Sequence, residues 1–229
     1  MSRAKLVGLL LAMALQMGVS GPANAGANEY TAFHDESSDS KVYASGVPLP
    51  GSWHAIDAYA HPDTGEVTGR IHFEAARIGM TQSATAETLS YLIVHDRMPV
   101  SADTITLSAT IAVRSATARS NPDGLDAATY RSFYWLEALA GVATDTRDQG
   151  TFLEWSEPAR ILSSDGAETV TDERRTISVT FTRAQIHNPD EGRVQLFVAV
   201  QSLGGMSGGA GSFDLSFDID VERLWVTYA

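Results

Sequence analysis

Carboxylates recur with a two-residue period between Asp214 and Glu222, close to the end of the sequence, with Ser216 in place of one of them. In an extended strand, alternate side chains point to opposite faces, so the apolar residues of this segment face a core: Phe213, Leu215, Phe217, Ile219 and Val221. The carboxylates then share the other face, where neighbours along the strand lie within ~7 Å and repel one another. An arginine, a metal ion or raised pKa values must compensate. We therefore consider three residues as metal ligands or as a solvated acidic face: Asp218, Asp220 and Glu222.

This acidic segment resembles the E-x-D-x-E strand of jelly-roll endoglucanases of the laminarinase and lichenase type. The resemblance implies a pair of carboxylates that act as nucleophile and as general acid/base in retaining hydrolysis. However, Asp218 stands where that family has its first Glu, and a shorter side chain places its carboxylate differently. The family motif also lies well inside its domain, whereas here Glu222 is followed by only seven residues of the given sequence. We therefore expect no catalysis, and a jelly-roll glycoside hydrolase is kept as an alternative.

Aromatic side chains next to turns form a second set of candidates. Sugar binding needs aromatic ring faces with planar polar groups around them. The run Phe133-Tyr134-Trp135 places aromatic side chains on both faces of a strand or helix, so at least one of them should lie outside the core. The candidate ligand-binding residues are Trp53, Tyr134, Trp135 and Trp155.

Two stretches of the chain are similar to carbohydrate-binding modules with the galactose-binding-like jelly roll. One runs from Pro99 to Val113 and contains a T-x-T-L-x-A strand, and the other runs from Ile177 to Tyr228 and closes with the acidic strand Asp220-Val221-Glu222-Arg223-Leu224. The resemblance implies a non-catalytic domain that binds a polysaccharide or another glycan. It also implies a structural calcium ion near the chain ends.

The elements that must position these residues are mainly short β-strands. The best of them, Thr104 to Arg114, alternates apolar and hydroxyl side chains, as a half-buried strand does. Residues 126–140 suit either a helix or a strand, and the neighbouring strands favour a strand. The glycine-rich segment Gly204 to Ser212 is interpreted as a flexible hairpin loop. About a dozen strands separated by turns predict an all-β fold, a β-sandwich or jelly roll.

The N-terminus predicts export. Arg3 and Lys5 precede a short apolar run and the small-residue site Ala23-Asn24-Ala25, which is the order of a cleavable signal peptide. We therefore divide the chain into a signal peptide at 1–25, an extended N-terminal arm at 26–52 and a single β-sandwich domain at 53–229. The predicted location is secreted or periplasmic, without membrane insertion, because the apolar run is shorter than a span of ~20 residues.

Composition excludes several kinds of function. The chain has a formal net charge of −12, so nucleic acids and anionic membranes repel it. It contains no cysteine, which excludes disulfides, a thiol nucleophile and Cys-ligated metals. A carbohydrate-binding β-sandwich is the preferred hypothesis. A surface or matrix protein that acts in structure or adhesion through protein contacts is the first alternative, and the hydrolase is the second.

Overall fold

The computed structural model describes residues 27–45, 53–123, 129–143, 153–164, 166, 168–186 and 193–229. Ten β-strands make up most of this part of the chain, and a 3₁₀ turn lies at Arg183–Gln185. The strands are β1 (Ala27–Tyr30), β2 (Asp35–Ser45), β3 (Trp53–His61), β4 (Glu66–Arg97), β5 (Thr104–Pro122), β6 (Arg131–Ala143), β7 (Leu153–Trp155), β8 (Ala159–Ser163), β9 (Thr169–Thr182) and β10 (Arg193–Tyr228). The predicted all-β fold is confirmed. The predicted signal peptide at 1–25 lies outside the described residues.

Two long strands, β4 and β10, organise the fold, because they pair antiparallel along most of their lengths. Each half of this pair has its own neighbours. β10 pairs with β6 through residues 195–207 and with β5 through residues 211–228. β4 pairs with β2 through residues 83–93 and with β3 through residues 66–74. The halves therefore belong to two layers of one hydrogen-bonded sheet.

Layer 1 contains β2, β6, β7 and β8, together with the second half of β4 and the first half of β10. Layer 2 contains β1, β3, β5 and β9, with the other halves of β4 and β10. Because β4 and β10 each pass from one layer into the other, the two layers are parts of one continuous sheet. This is the sandwich, or jelly-roll, arrangement that the strand pattern predicts.

The main hydrophobic core lies between the layers and draws side chains from both. The apolar set of the acidic segment is buried as predicted: Phe213, Leu215, Phe217, Ile219 and Val221. The ring of Phe213 in layer 2 stacks with that of Tyr134 in layer 1, with 6.0 Å between the ring centroids. A Cβ atom at Gly204 of layer 1 would lie 2.4 Å from Cε1 of Phe213. Gly204 therefore leaves the space that the Phe213 ring occupies.

The prediction of a flexible hairpin loop for the glycine-rich segment is wrong. Residues 204–212 lie within β10 and pair with β4, with register shifts on either side of Gly209. Gly208 and Gly209 have φ angles of 57° and 114°, which residues other than glycine rarely adopt. These glycines thus let β10 bend from layer 1 into layer 2 without leaving the sheet.

The predicted N-terminal arm contributes β1 and β2, while its residues 46–52 lie outside the described residues. β1 pairs with the end of β10, and the Asp96 carboxylate joins the two strands to β4. Asp96 Oδ2 accepts hydrogen bonds from the Tyr228 hydroxyl at 2.7 Å and from Asn28 Nδ2 at 3.0 Å. Burial and the nearby Asp96 carboxylate together raise the pKa of Tyr30 to about 12. The same two causes raise the pKa of Tyr228.

Candidate functional site

Strand β6 presents aromatic residues to both sides of layer 1. The strand interpretation of this segment is confirmed, and alternation buries Tyr134 and Leu136 in the main core. The intervening residues Phe133 and Trp135 lie half-buried on the outer side of the layer. Of the three consecutive aromatic residues, two are therefore outside the core, in agreement with the expectation that at least one would be.

The neighbouring strands continue this outer surface. Trp135 lies opposite Leu203 of β10 on one side and Ser163 of β8 on the other. The Phe133 ring lies over Gly205, where an added Cβ would come within 2.6 Å of the ring atom Cζ. We call this surface the Trp135 face and define it by six residues: Tyr91, Phe133, Trp135, Glu137, Gln201 and Leu203.

A carboxylate lies in the middle of the Trp135 face. Glu137 is only 6% exposed, and its Oε1 atom accepts a hydrogen bond from Gln201 Nε2 at 2.6 Å. The guanidinium of Arg160 on β8 approaches Oε2 at 3.6 Å, beyond hydrogen-bond distance. Oε2 is buried and has no hydrogen-bond partner among the described residues. The arrangement combines aromatic rings with a carboxylate, an amide and a guanidinium on one sheet surface.

A small apolar cluster borders these polar groups and is separate from the main core. It consists of Phe197 and Ala199, with Leu89, Tyr91 and Ile93 packed against it. The Tyr91 ring meets the Phe197 ring edge-on at 5.8 Å between centroids. Burial raises the pKa of Tyr91, so its hydroxyl stays protonated at neutral pH and remains a hydrogen-bond donor.

The four predicted sugar-stacking residues thus have different positions. Trp135 is on the outer surface of layer 1, whereas Tyr134 points into the core against Phe213. We therefore leave Tyr134 out of the candidate site. Trp53 begins β3 and Trp155 ends β7, but their side chains lie outside the described part of the chain.

The acidic strand lies on the outer surface of layer 2, where arginines from other strands meet its carboxylates. Arg114 of β5 approaches Asp220 at 3.1 Å, Glu66 at 3.6 Å and Asp218 at 3.8 Å. Burial raises the pKa of Asp218 and the Arg114 charge opposes that shift. Arg114 therefore offsets part of the repulsion between these carboxylates, as the sequence analysis predicted that an arginine, a metal ion or raised pKa values would.

Glu222 has its own arginine, because a β-bulge between Val221 and Arg223 changes the register with β5. Arg174 of β9 donates from Nε at 2.9 Å and from Nη2 at 2.6 Å to Glu222 Oε1. Within the described ranges, no group of three or more His, Asp or Glu side chains is arranged to hold a metal ion. Calcium at Asp218, Asp220 and Glu222 stays a prediction.

Sequence reasoning missed the polar part of the Trp135 face. Glu137 interrupts the apolar run from Phe133 to Ala143, and that single carboxylate was the available signal. Gln201 and Arg160 gave no signal, because they reach Glu137 from strands that are distant in sequence.

Comparisons with known proteins place carbohydrate-binding modules among the similar structures. TmCBM61 in complex with β-1,4-galactotriose is 10% identical, with 87% of this chain and 92% of that chain covered and a TM-score of 0.24. The family 11 carbohydrate-binding module of a cellulosomal cellulase of Clostridium thermocellum is 8% identical, with 90% of this chain and 97% of that chain covered and a TM-score of 0.26. Similarity at this level carries no argument about function.

No family model matches the sequence, and no curated protein matches it either. The helical parts of the described chain include no segment long and apolar enough to cross a membrane.

Proposed function

We propose that this protein is an exported, non-catalytic β-sandwich that binds carbohydrate through the Trp135 face. The observation that supports the proposal is the Glu137–Gln201 hydrogen bond, which joins the pair of residues next to the half-buried Trp135 and its partner Leu203 in the register of β6 and β10. Aromatic rings pack against the C–H faces of sugars, while fixed polar groups orient the hydroxyls.

The acidic strand supports this choice over hydrolysis. Hydrolysis by paired carboxylates requires one of them to donate a proton and the other to attack or activate water. Glu222 instead accepts two hydrogen bonds from Arg174, so its carboxylate is engaged within the protein. Asp218 and Asp220 lie against Arg114. These contacts favour a structural role for the acidic strand.

Titration calorimetry of the mature protein against soluble polysaccharides tests the proposal. Galactan, xylan and mixed-linkage β-glucan form a suitable panel, since structurally similar modules were solved with oligosaccharides of these kinds. We expect at least one ligand to bind, and Trp135→Ala to weaken binding by ~2 kcal/mol while the domain stays folded.

Trp225→Ala is the matched control, because Trp225 is a half-buried tryptophan on the outer surface of layer 2. It should leave affinity unchanged. If the protein binds no member of a broad glycan panel, or if Trp135→Ala binds like wild type, the proposed site is wrong. N-terminal sequencing of exported material, expected to begin at Gly26, tests export.

A further inference from the structure

Three carboxylates in the described part of the chain have a buried oxygen without a hydrogen-bond partner: Glu137, Asp218 and Asp220. Glu137 has the most deeply buried side chain of the three. The residue is 6% exposed, and Oε2 has no hydrogen-bond partner. A buried carboxylate oxygen without a partner costs stability, since water no longer solvates it. An oxygen of this kind is available to accept a hydrogen bond from a ligand.

The groups around Oε2 indicate the chemistry of that partner. Gln201 occupies Oε1 and fixes the carboxylate plane, so Oε2 remains as the free acceptor. The Arg160 guanidinium lies beside it at 3.6 Å and supplies donors only. The Arg160 side chain is 55% exposed, which leaves it room to turn outward and uncover Oε2.

We propose that Glu137 and Arg160 together bind a vicinal diol of a neutral sugar unit that packs against Trp135. One hydroxyl donates its hydrogen to Glu137 Oε2, and the oxygen of the neighbouring hydroxyl accepts a hydrogen bond from Arg160. This inference rests on the proposed carbohydrate-binding function and names the ligand chemistry of the same site.

Charge argues for a neutral ligand at this position. Glu137 and Arg160 carry opposite formal charges 3.6 Å apart, so the repulsion of a charged sugar group by one of them offsets its attraction by the other. A hydroxyl is both donor and acceptor, so two adjacent hydroxyls satisfy an acceptor and a donor lying side by side.

Two variants test the inference by calorimetry with the polysaccharide that binds best in the panel. Glu137→Gln keeps the shape but turns an amide N–H₂ toward the diol, and Arg160→Met removes the guanidinium but keeps an unbranched apolar chain. Each should lower affinity roughly ten-fold or more. Glu222→Gln is the matched control, because Glu222 is also paired with an arginine, but on layer 2, and it should bind like wild type.

Thermal melting separates ligand binding from a structural role. Because Glu137→Gln removes a buried charge, it should melt at or above the wild-type temperature while its affinity falls. The inference is overturned if both variants bind within about two-fold of wild type while Trp135→Ala does not. If Trp135→Ala also binds like wild type, the proposed site itself fails, and this inference fails with it.

Discussion

Replacing Gly204 with alanine should destabilise the protein, because the new methyl group would enter the space of the Phe213 ring. The added Cβ would lie 2.4 Å from Cε1 and 3.0 Å from Cζ of that ring. Ordinary carbon–carbon contacts are ~3.5–4.0 Å, so the ring must move by about 1 Å. Phe213 is fully buried and stacked on Tyr134, which leaves little room for that movement.

The expected loss is the difference between two terms. Overpacking of a core costs ~1–3 kcal/mol. The backbone at Gly204 does not have a positive φ, so alanine gains ~0.4–1 kcal/mol by restricting the unfolded chain. The net loss is ~1–2 kcal/mol, which in a domain of this size lowers Tm by roughly 2–8 °C.

Thermal unfolding of a double-mutant cycle with Phe213→Leu is the assay. The smaller side chain should relieve the clash, so the two changes should couple favourably by ~1 kcal/mol. Gly166→Ala is the control, because Gly166 is exposed and its nearest atom would be Ser163 Oγ at 3.3 Å. If Gly204→Ala melts like wild type and shows no coupling to Phe213→Leu, the two residues do not face each other across the core. A flexible loop at Gly204 would give that result.

Three further predictions concern charge. The free energy of unfolding should fall as pH rises from about 10 toward 12, because Tyr30 and Tyr228 stay protonated in the folded state while unfolded tyrosines ionise near 10. Tyr228→Phe should lower it by ~1.5–3 kcal/mol at neutral pH. In urea titrations, the same variant should lose less stability at alkaline pH than the wild type does. Burial raises the pKa of Asp218, so its ionised form destabilises the folded state at pH values above that pKa. Asp218→Asn should therefore be neutral or stabilising by up to ~0.5 kcal/mol at pH 7, with a smaller effect in acid. A clear loss in denaturant melts would contradict this. If Asp218, Asp220 and Glu222 bind calcium, added calcium should raise Tm, EDTA should lower it, and Glu222→Gln should abolish both effects. The ion would have to displace Arg114 and Arg174 from these carboxylates, and a Tm that neither calcium nor EDTA changes would contradict the calcium site.

Alternation predicted the parts of the fold in which one face of a strand is apolar along its length. The final strand is the clearest case, since Phe213 and Val221 and the apolar residues between them are buried as expected. The segment 204–212 could not be predicted in this way. Glycine has no side chain to show a period, and its backbone freedom is typical of loops as well. Only pairing with β4, which is distant in sequence, makes this segment a strand.

Only those features of the candidate site that depend on a single strand were predictable from the sequence. The two-residue period of a strand predicted that Tyr134 and Trp135 lie on opposite faces, but not which of them enters the core. The surrounding residues decide this, because Leu136 and Ala138 continue the side of Tyr134, and Glu137 continues the side of Trp135. The partners of the charged groups were not visible for a different reason. Hydrogen bonds and ion pairs across a sheet depend on register, which follows from the turns and bulges.

The two outer surfaces bury their carboxylates to different degrees, and this difference favours layer 1 as the binding surface. On layer 2, Arg114 contacts Asp218 and Asp220, whose side chains are 34% and 21% exposed, although the Oδ1 atom of each is buried without a hydrogen-bond partner. On layer 1, the Glu137 side chain is 8% exposed and is only partly paired. A protein keeps such a cost where another requirement, such as ligand binding, outweighs it. The more numerous carboxylates of the acidic strand attract attention in the sequence, but the single buried one beside Trp135 is the better guide to what this protein binds.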